Sequence, residues 1–227
     1  VNTFRPSEVW TPRKDASLDL RGLIVDRNNR VYLVNSASDE VIIFNGQQIQ
    51  REIAHVTLRD PQTPLGTSLN PQNLAFDSNQ SVLYVTESGS NSVGFIRNPQ
   101  QIQSNVAITQ AGGTIRLNTG GTTQNAFAPF GVDVTPGTFE RKVYTSNAGG
   151  GLNISLIDGE RCLNISVTPC PIRSFGTASS SANSPPLGKI KIVALNTIGT
   201  QSLSIQSGVT LPHQADTSLF RFSIDHP

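Results

Sequence analysis

The chain has 227 residues, with 17 basic and 16 acidic side chains and a formal net charge of +1, which gives no electrostatic support for capture of nucleic acid. No run of about 18 apolar residues is present to form a membrane-spanning helix. Hydrophobic residues make up 36% and charged residues 15%, with 19 Gly and 14 Pro; the rest is rich in Ser, Thr, Asn and Gln, which suits short strands and turns and lacks the net charge of a disordered chain.

The chain starts at Val1, contains no Met and shows no basic-then-apolar secretory leader, so it is expected to have lost a leader or to be a piece of a longer chain. Residues 1–19, which include Trp10, come before the first patterned segment. Three segments then repeat: Arg21 to Phe44, Gln72 to Ile96 and Phe130 to Asp158. Each has a short apolar run (GLIVD, NLAFD, GVDV), a polar turn, a tyrosine-bearing run (RVYLV, VLYVT, KVYTS), a small-residue turn and a third apolar run. The tyrosines, Tyr32, Tyr84 and Tyr144, recur at intervals of 52 and 60 residues. β-branched and aromatic runs separated by Asp-, Asn- and Gly-rich turns predict antiparallel strands. Repetition at this pitch predicts sheets stacked around an axis. The first run of each repeat is expected to be an inner strand covered on both faces, and the tyrosines are expected in the core. Asp26 and Asp77 recur at the same turn, so they are expected to hold it.

Outer strands are expected at 51–58, 113–118 and, as a third candidate, CLNISV (162–167). Alternation in 51–58 puts Ala54, Val56 and Leu58 on one face and His55 on the other. Residues 174–188, rich in Ser, Ala and Pro, are predicted to form a surface loop. Beyond them, 188–195, 202–207 and 218–225 predict a divergent fourth unit that ends after its third strand. The expected fold class is therefore all-β: a β-propeller of four-stranded antiparallel blades, with about four blade units, roughly 20–60, 70–120, 127–175 and 188–227, forming a single domain or propeller fragment over 1–227. Either residues 1–19 supply a closing strand to a four-bladed ring, or the chain is part of a larger propeller; an open fragment would expose apolar sheet faces.

The second segment, PQNLAFDSNQSVLYVTESGSNSVGFI, resembles the YVTN-type propeller repeat, which is related to NHL repeats, through Leu83-Tyr84-Val85-Thr86-Glu87 and the Ser88-to-Val93 turn. Val31 to Asn35 and Val143 to Asn147 carry the same resemblance in the other two segments. It covers about half the chain, implies the propeller fold and leaves function open, because such propellers serve as surface proteins, scaffolds and enzymes. The larger propellers that share the motif favour part of a bigger ring. Some propellers resembling NHL proteins hold calcium in the central channel with Asn, Asp and Glu at inner-strand ends and hydrolyse lactones or esters. The weak metal candidates by that analogy are Asn73 and Asp133; the positions matching Asn73 in the other repeats are Gly22 and Gly131, which leaves too few ligands.

The remaining chemistry is sparse. His55, His213 and His226 lack partners at metal-ligand spacing apart from Asp216 near His213, and neither a haem-attachment motif nor a nucleophile elbow is present. AGGG (148–151) and GGTTQN (120–125) read as a turn and an inter-blade connection, not phosphate cradles. No catalytic residue is nominated. Cys162 and Cys170 are spaced for a local disulfide, which would imply an oxidising compartment. Asn79, Asn153 and Asn164 head N-x-S sequons and are glycosylation candidates. Arg27, Arg30, Arg141 and Lys142 fall on matching turns and could form a basic rim for an acidic glycan or protein. The expected function is a non-enzymatic extracellular, cell-surface or periplasmic propeller for binding or assembly, without a cofactor, engaging a protein, a glycan or other copies of itself, and no nucleic acid. The alternatives are a calcium-dependent hydrolase of the gluconolactonase or paraoxonase sort, or the propeller domain of a larger secreted enzyme.

Overall fold

The computed structural model describes residues 17–46, 48–59, 66–117, 128–135, 142–147, 154–163, 172–175, 190–197, 200–207, 210–211, 214–215 and 218–225. The first blade contains β1 (Leu20–Val25), β2 (Arg30–Asn35), β3 (Glu40–Asn45) and β4 (Gln48–Thr57), consecutive and antiparallel. The second contains β5 (Pro71–Phe76), β6 (Val82–Glu87) and β7 (Ser92–Arg97). Between β7 and its outer strand, the chain makes an excursion through a 3-10 turn at Pro99–Gln101, β8 (Val106–Ala107) and the helical turn α1 (Ile108–Ala111). There β8 pairs in parallel with β4, so blade 2 lends a strand to the edge of blade 1. The chain then returns as β9 (Gly112–Arg116), antiparallel to β7. The third blade is β10 (Pro129–Val134), β11 (Lys142–Asn147), β12 (Ile154–Asp158) and β13 (Ile172–Phe175), with the short helix α2 (Gly159–Leu163) between the last two. A three-stranded sheet of β14 (Ile190–Thr197), β15 (Thr200–Ser207) and β18 (Ser218–Asp225) follows, with the two-residue strands β16 (Thr210–Leu211) and β17 (Gln214–Ala215) paired between β15 and β18.

One prediction moves. CLNISV is not the outer strand of blade 3: Cys162 and Leu163 end α2, and β13 pairs with β12 instead. Asp158 accounts for the early turn, because its Oδ1 accepts the Arg161 amide at 3.2 Å as β12 ends. Residues 164–167 lie outside the described residues.

The tyrosines align the three repeats. Tyr32, Tyr84 and Tyr144 pair with Ile24, Ala75 and Asp133 on the inner strands, and are 0%, 0% and 4% exposed. The tyrosine faces of blades 1 and 2 pack on the opposite face of the next blade. Tyr32, Val34, Val41, Ile43 and Val56 of blade 1 form one apolar cluster with Leu83, Val85 and Ile96 of blade 2, with Leu74 and Phe76 packed against it. The Tyr32 and Phe76 rings meet edge to face, centroids 5.3 Å apart. Tyr84, Val93, Phe95 and Ile115 of blade 2 repeat this with Val132, Val134, Val143 and Ile157 of blade 3. A single sheet cannot cover both faces, and stacking buries them in series.

The inner strands run side by side in the order β1, β5, β10, β14. Their approach is close at Gly22, where a Cβ would stand 2.7 Å from the Gln72 carbonyl oxygen of the neighbouring blade. Among the described residues, no packing of comparable extent joins β14 back to β1. The expectation that every inner strand is covered on both faces fails at β1: Leu20, Leu23 and Val25 are 45%, 60% and 46% exposed. Their face points away from blade 2, and no described sheet lies against it.

Candidate functional site: the two edges of the inner strands

At one edge, inner strands pass into second strands through short turns, and carboxylates hold these turns. Asp26 Oδ1 accepts the amides of Asn28 and Arg30, both at 2.8 Å. Asp77 Oδ1 accepts the Val82 amide at 2.9 Å, while its Oδ2 takes the Ser81 hydroxyl at 2.6 Å. In blade 3, Thr135 replaces the carboxylate, and its Oγ1 accepts the Lys142 amide at 3.1 Å. Asn29 and Gln80 sit in the left-handed region these turns need, with φ of 59° and 57°. The turn-holding role expected of Asp26 and Asp77 is what the geometry shows. The Tyr32 hydroxyl also donates to Asp26 Oδ2 at 3.0 Å. Burial, and then the adjacent carboxylate, push the Tyr32 phenol far above its usual range.

Arg27 and Arg30 on this edge tie blade 1 to the chain of blade 2, whereas Lys142 pairs within blade 3. Arg27 donates from Nη2 to the Ser78 carbonyl at 2.6 Å, and its amide donates to Gln80 Oε1 at 2.8 Å. Arg30 reaches the Ile102 carbonyl at 3.2 Å, and Lys142 pairs with Asp158 at 3.3 Å. Arg141 lies outside the described residues. Asn79 is exposed on the same edge, while the sequons at Asn153 and Asn164 lie outside the described residues.

At the opposite edge, second strands end in buried polar residues: Asn35, Glu87 and Asn147, at 0%, 1% and 1% exposure. Asn35 Nδ2 donates to Ser38 Oγ at 2.6 Å, Glu87 Oε2 accepts from Ser92 Oγ at 2.6 Å, and Asn147 Nδ2 donates to Ser155 Oγ at 2.9 Å. Asn35 and Glu87 brace the turn to the third strand, and Asn147 ties β11 to β12. A second network crosses between blades here. Ser36 Oγ donates to Asn70 Oδ1 at 2.8 Å, Asn70 Nδ2 donates to Ser88 Oγ at 2.8 Å, and Gln72 Nε2 donates to Asn70 Oδ1 at 2.9 Å.

A forward clip also recurs here, one the sequence did not announce. Asp39 and Asn91 occupy left-handed positions in successive second turns, with φ of 52° and 53°. Asp39 Oδ1 accepts the amides of Leu69 and Asn70, at 3.2 and 3.3 Å, where the chain enters blade 2. Asn91 Oδ1 accepts the Ala128 amide at 2.8 Å, where it enters blade 3. The entry residues Asn70 and Ala128 are left-handed too, with φ of 47° and 42°. Backward, the carbonyls of Asp39 and Asn91 hold Leu58 and Leu117 at 2.8 and 2.9 Å. The signal was visible in both turns: an Asp or Asn two residues before the first valine of the third strand, the residue types that tolerate positive φ.

The weak metal candidates are engaged in the fold. Asn73 Nδ2 donates to the Phe130 carbonyl of blade 3 at 2.8 Å, and Thr86 Oγ1 donates to the same carbonyl at 2.8 Å. Asp133 Oδ1 accepts the adjacent Val134 amide at 2.9 Å. No group of three or more His, Cys, Asp and Glu residues fit to hold a metal occurs among the described residues. His55 Nδ1 lies 3.2 Å from Glu52 Oε1 on the outer strand of blade 1; His213, Asp216 and His226 lie outside the described residues. Cys162 is buried at 5% exposure, and Cys170, its expected partner, lies outside them. Chemically, these edges are networks of amides, hydroxyls and carboxylates that set turns and link blades.

No family model matches the chain, and no curated protein matches its sequence. Solved structures do resemble it in fold. A streptogramin B lyase structure is similar with a TM-score of 0.53 and 16% identity, over 96% of this chain and 58% of that one. A protein from Lactobacillus plantarum is similar with a TM-score of 0.54 and 13% identity, over 98% of this chain and 58% of that one. The WD40 repeats of RRP9 are similar with a TM-score of 0.54 and 13% identity, over 93% of this chain and 55% of that one. At such identities the likeness concerns fold alone, and with the stacked antiparallel sheets it establishes the β-propeller. This chain spans little more than half the length of the structures it resembles. No helix among the described residues is long and apolar enough to cross a membrane.

Proposed function

We propose that this chain is part of a non-enzymatic, extracellular, cell-surface or periplasmic propeller of the YVTN/NHL type, acting in binding or assembly. The observation that carries this reading is the engagement of the inner-strand polar groups within the fold. Asn73 ties blade 2 to the Phe130 carbonyl, and Asp133 is turned onto its neighbour's amide. Buried Asn35, Glu87 and Asn147 tie the second strands to the turns or strands that follow. Residues committed to holding blades together make a rigid frame for recognition on surrounding loops. A protein, a glycan or another copy of the chain is the partner class. A disulfide between Cys162 and Cys170 belongs to the same reading, because it suits an oxidising compartment.

Calorimetric titration with calcium, paired with a melting curve, tests the proposal. The expected result is no saturable heat and no rise in melting temperature at millimolar calcium. A stoichiometric site with a melting shift would move the assignment to a calcium-dependent hydrolase.

A further inference from the structure

The two halves of one face of blade 1 differ in cover. Alternation along β3 turns Val41 and Ile43 toward blade 2, in the cluster with Tyr32, and sets Glu40, Ile42 and Phe44 on the opposite face. Pairing adds His55 beside Ile42 and Glu52 beside Phe44, and His55 Nδ1 lies 3.2 Å from Glu52 Oε1. On this face the inner strand is open, with Leu23 and Val25 60% and 46% exposed, whereas Ile42 and Phe44 are buried at 0% and 3%. Ile42 and Phe44 belong to neither of the apolar clusters that join the blades. The cover over β3 therefore stops short of β1 and is narrower than a sheet.

The geometry points to the chain's own amino-terminal segment, residues 1–16, which lie outside the described residues, as a strap across β3 and β4 with Trp10 seated on Ile42 and Phe44. The described chain begins where such a strap has to start. The Ser17 carbonyl accepts from Asn35 Nδ2 at 3.1 Å, and Asn35 pairs with Glu40 at the start of β3. Seven residues lead from Ser17 back to Trp10, a reach of up to about 25 Å, against roughly 14 Å along the strand from Glu40 to Phe44. The order of chemistry matches too. Backward from Ser17, Lys14 and Arg13 come first, within reach of Glu40; Trp10 and Val9 follow, over Ile42 and Phe44; Arg5 comes last, toward Glu52. Cations beside the carboxylates and an indole on the apolar pair between them make segment and strip complementary. Pro6 and Pro12 favour extended backbone at Arg5 and Thr11 and cannot donate to a strand ladder, which suits a segment laid over a face rather than one added to an edge. So placed, the segment is not available as a ring-closing strand, and its seat is independent of whether the chain serves in binding.

Trp10 is the chain's one tryptophan, so its fluorescence reports this segment alone. The test reads Trp10 emission and acrylamide quenching in the full chain, together with hydroxyl-radical footprinting of Phe44 and Phe95. The expected result is blue-shifted emission and quenching on the order of fivefold weaker than in the urea-unfolded chain, both unchanged on dilution. Trp10→Ala is expected to raise Phe44 oxidation on the order of tenfold while Phe95, buried between blades 2 and 3, stays protected. Trp10 quenched as readily as in urea, or Phe44 oxidation unmoved by Trp10→Ala, overturns the proposal. Protection lost on dilution assigns the cover to a second copy and also overturns it. Should Trp10→Ala expose Phe95 as well, the milder Phe44→Leu decides: a red shift of Trp10 emission supports the seat on β3, and unchanged emission overturns it.

Discussion

The two faces of blade 1 are built from the same residue types and meet different surroundings. On one face, Tyr32, Val34, Val41 and Ile43 are all 0% exposed, because blade 2 lies over them. On the other, Leu20, Leu23 and Val25 of the inner strand remain substantially exposed, although Ile42 and Phe44 of β3 are buried. Neither hydrophobicity nor β-propensity separates the faces; neighbour identity does. Stability in such a stack resides in interfaces between units, and a residue matters when both sides of its interface are present.

The contrast can be broken hardest from the covered side. Phe95→Ala empties a fully buried site between blades 2 and 3 and should cost about 3–5 kcal/mol in denaturant unfolding. A loss below about 1 kcal/mol would show that the interface re-closes and that burial between blades is not what holds the arc. Next in size, Asp77→Ala leaves the Val82 amide and Ser81 hydroxyl without their acceptor and should cost about 1–3 kcal/mol, chiefly as weaker hydrogen-exchange protection of β5 and β6. Asp77→Asn, which keeps one acceptor oxygen, should recover part of that loss. At the small end, Leu23→Thr in residues 1–227 should change stability by no more than about 0.5 kcal/mol, since Leu23 is 60% exposed. A large loss there would mean that the β1 face is covered after all.

Much of this was legible because repetition turns weak local signals into strong ones. One tyrosine between branched residues says little, but three of them aligned Ile24, Ala75 and Asp133 and so placed the inner strands. Asp26 and Asp77 identified themselves as turn residues by recurring. What repeats less regularly was missed. The excursion from Pro99 to Ala111, which sends β8 back to β4, occurs once and offers a two-residue strand, too short for any periodicity to mark. CLNISV carried strand-like residues, yet Asp158 and the Gly159 that follows turn the chain into α2 first. The uncovered β1 face could not be read either, because residue type says what a face prefers and not whether a neighbour is there.

The forward clip carries a temporal consequence. Asp39 and Asn91 each lie upstream of the amides they capture, by about 30 and 37 residues along the chain. During synthesis from the amino end, each acceptor is already anchored in a finished sheet when its donor leaves the ribosome. The molecule can therefore be wound on vectorially, every completed unit providing the template that registers the next.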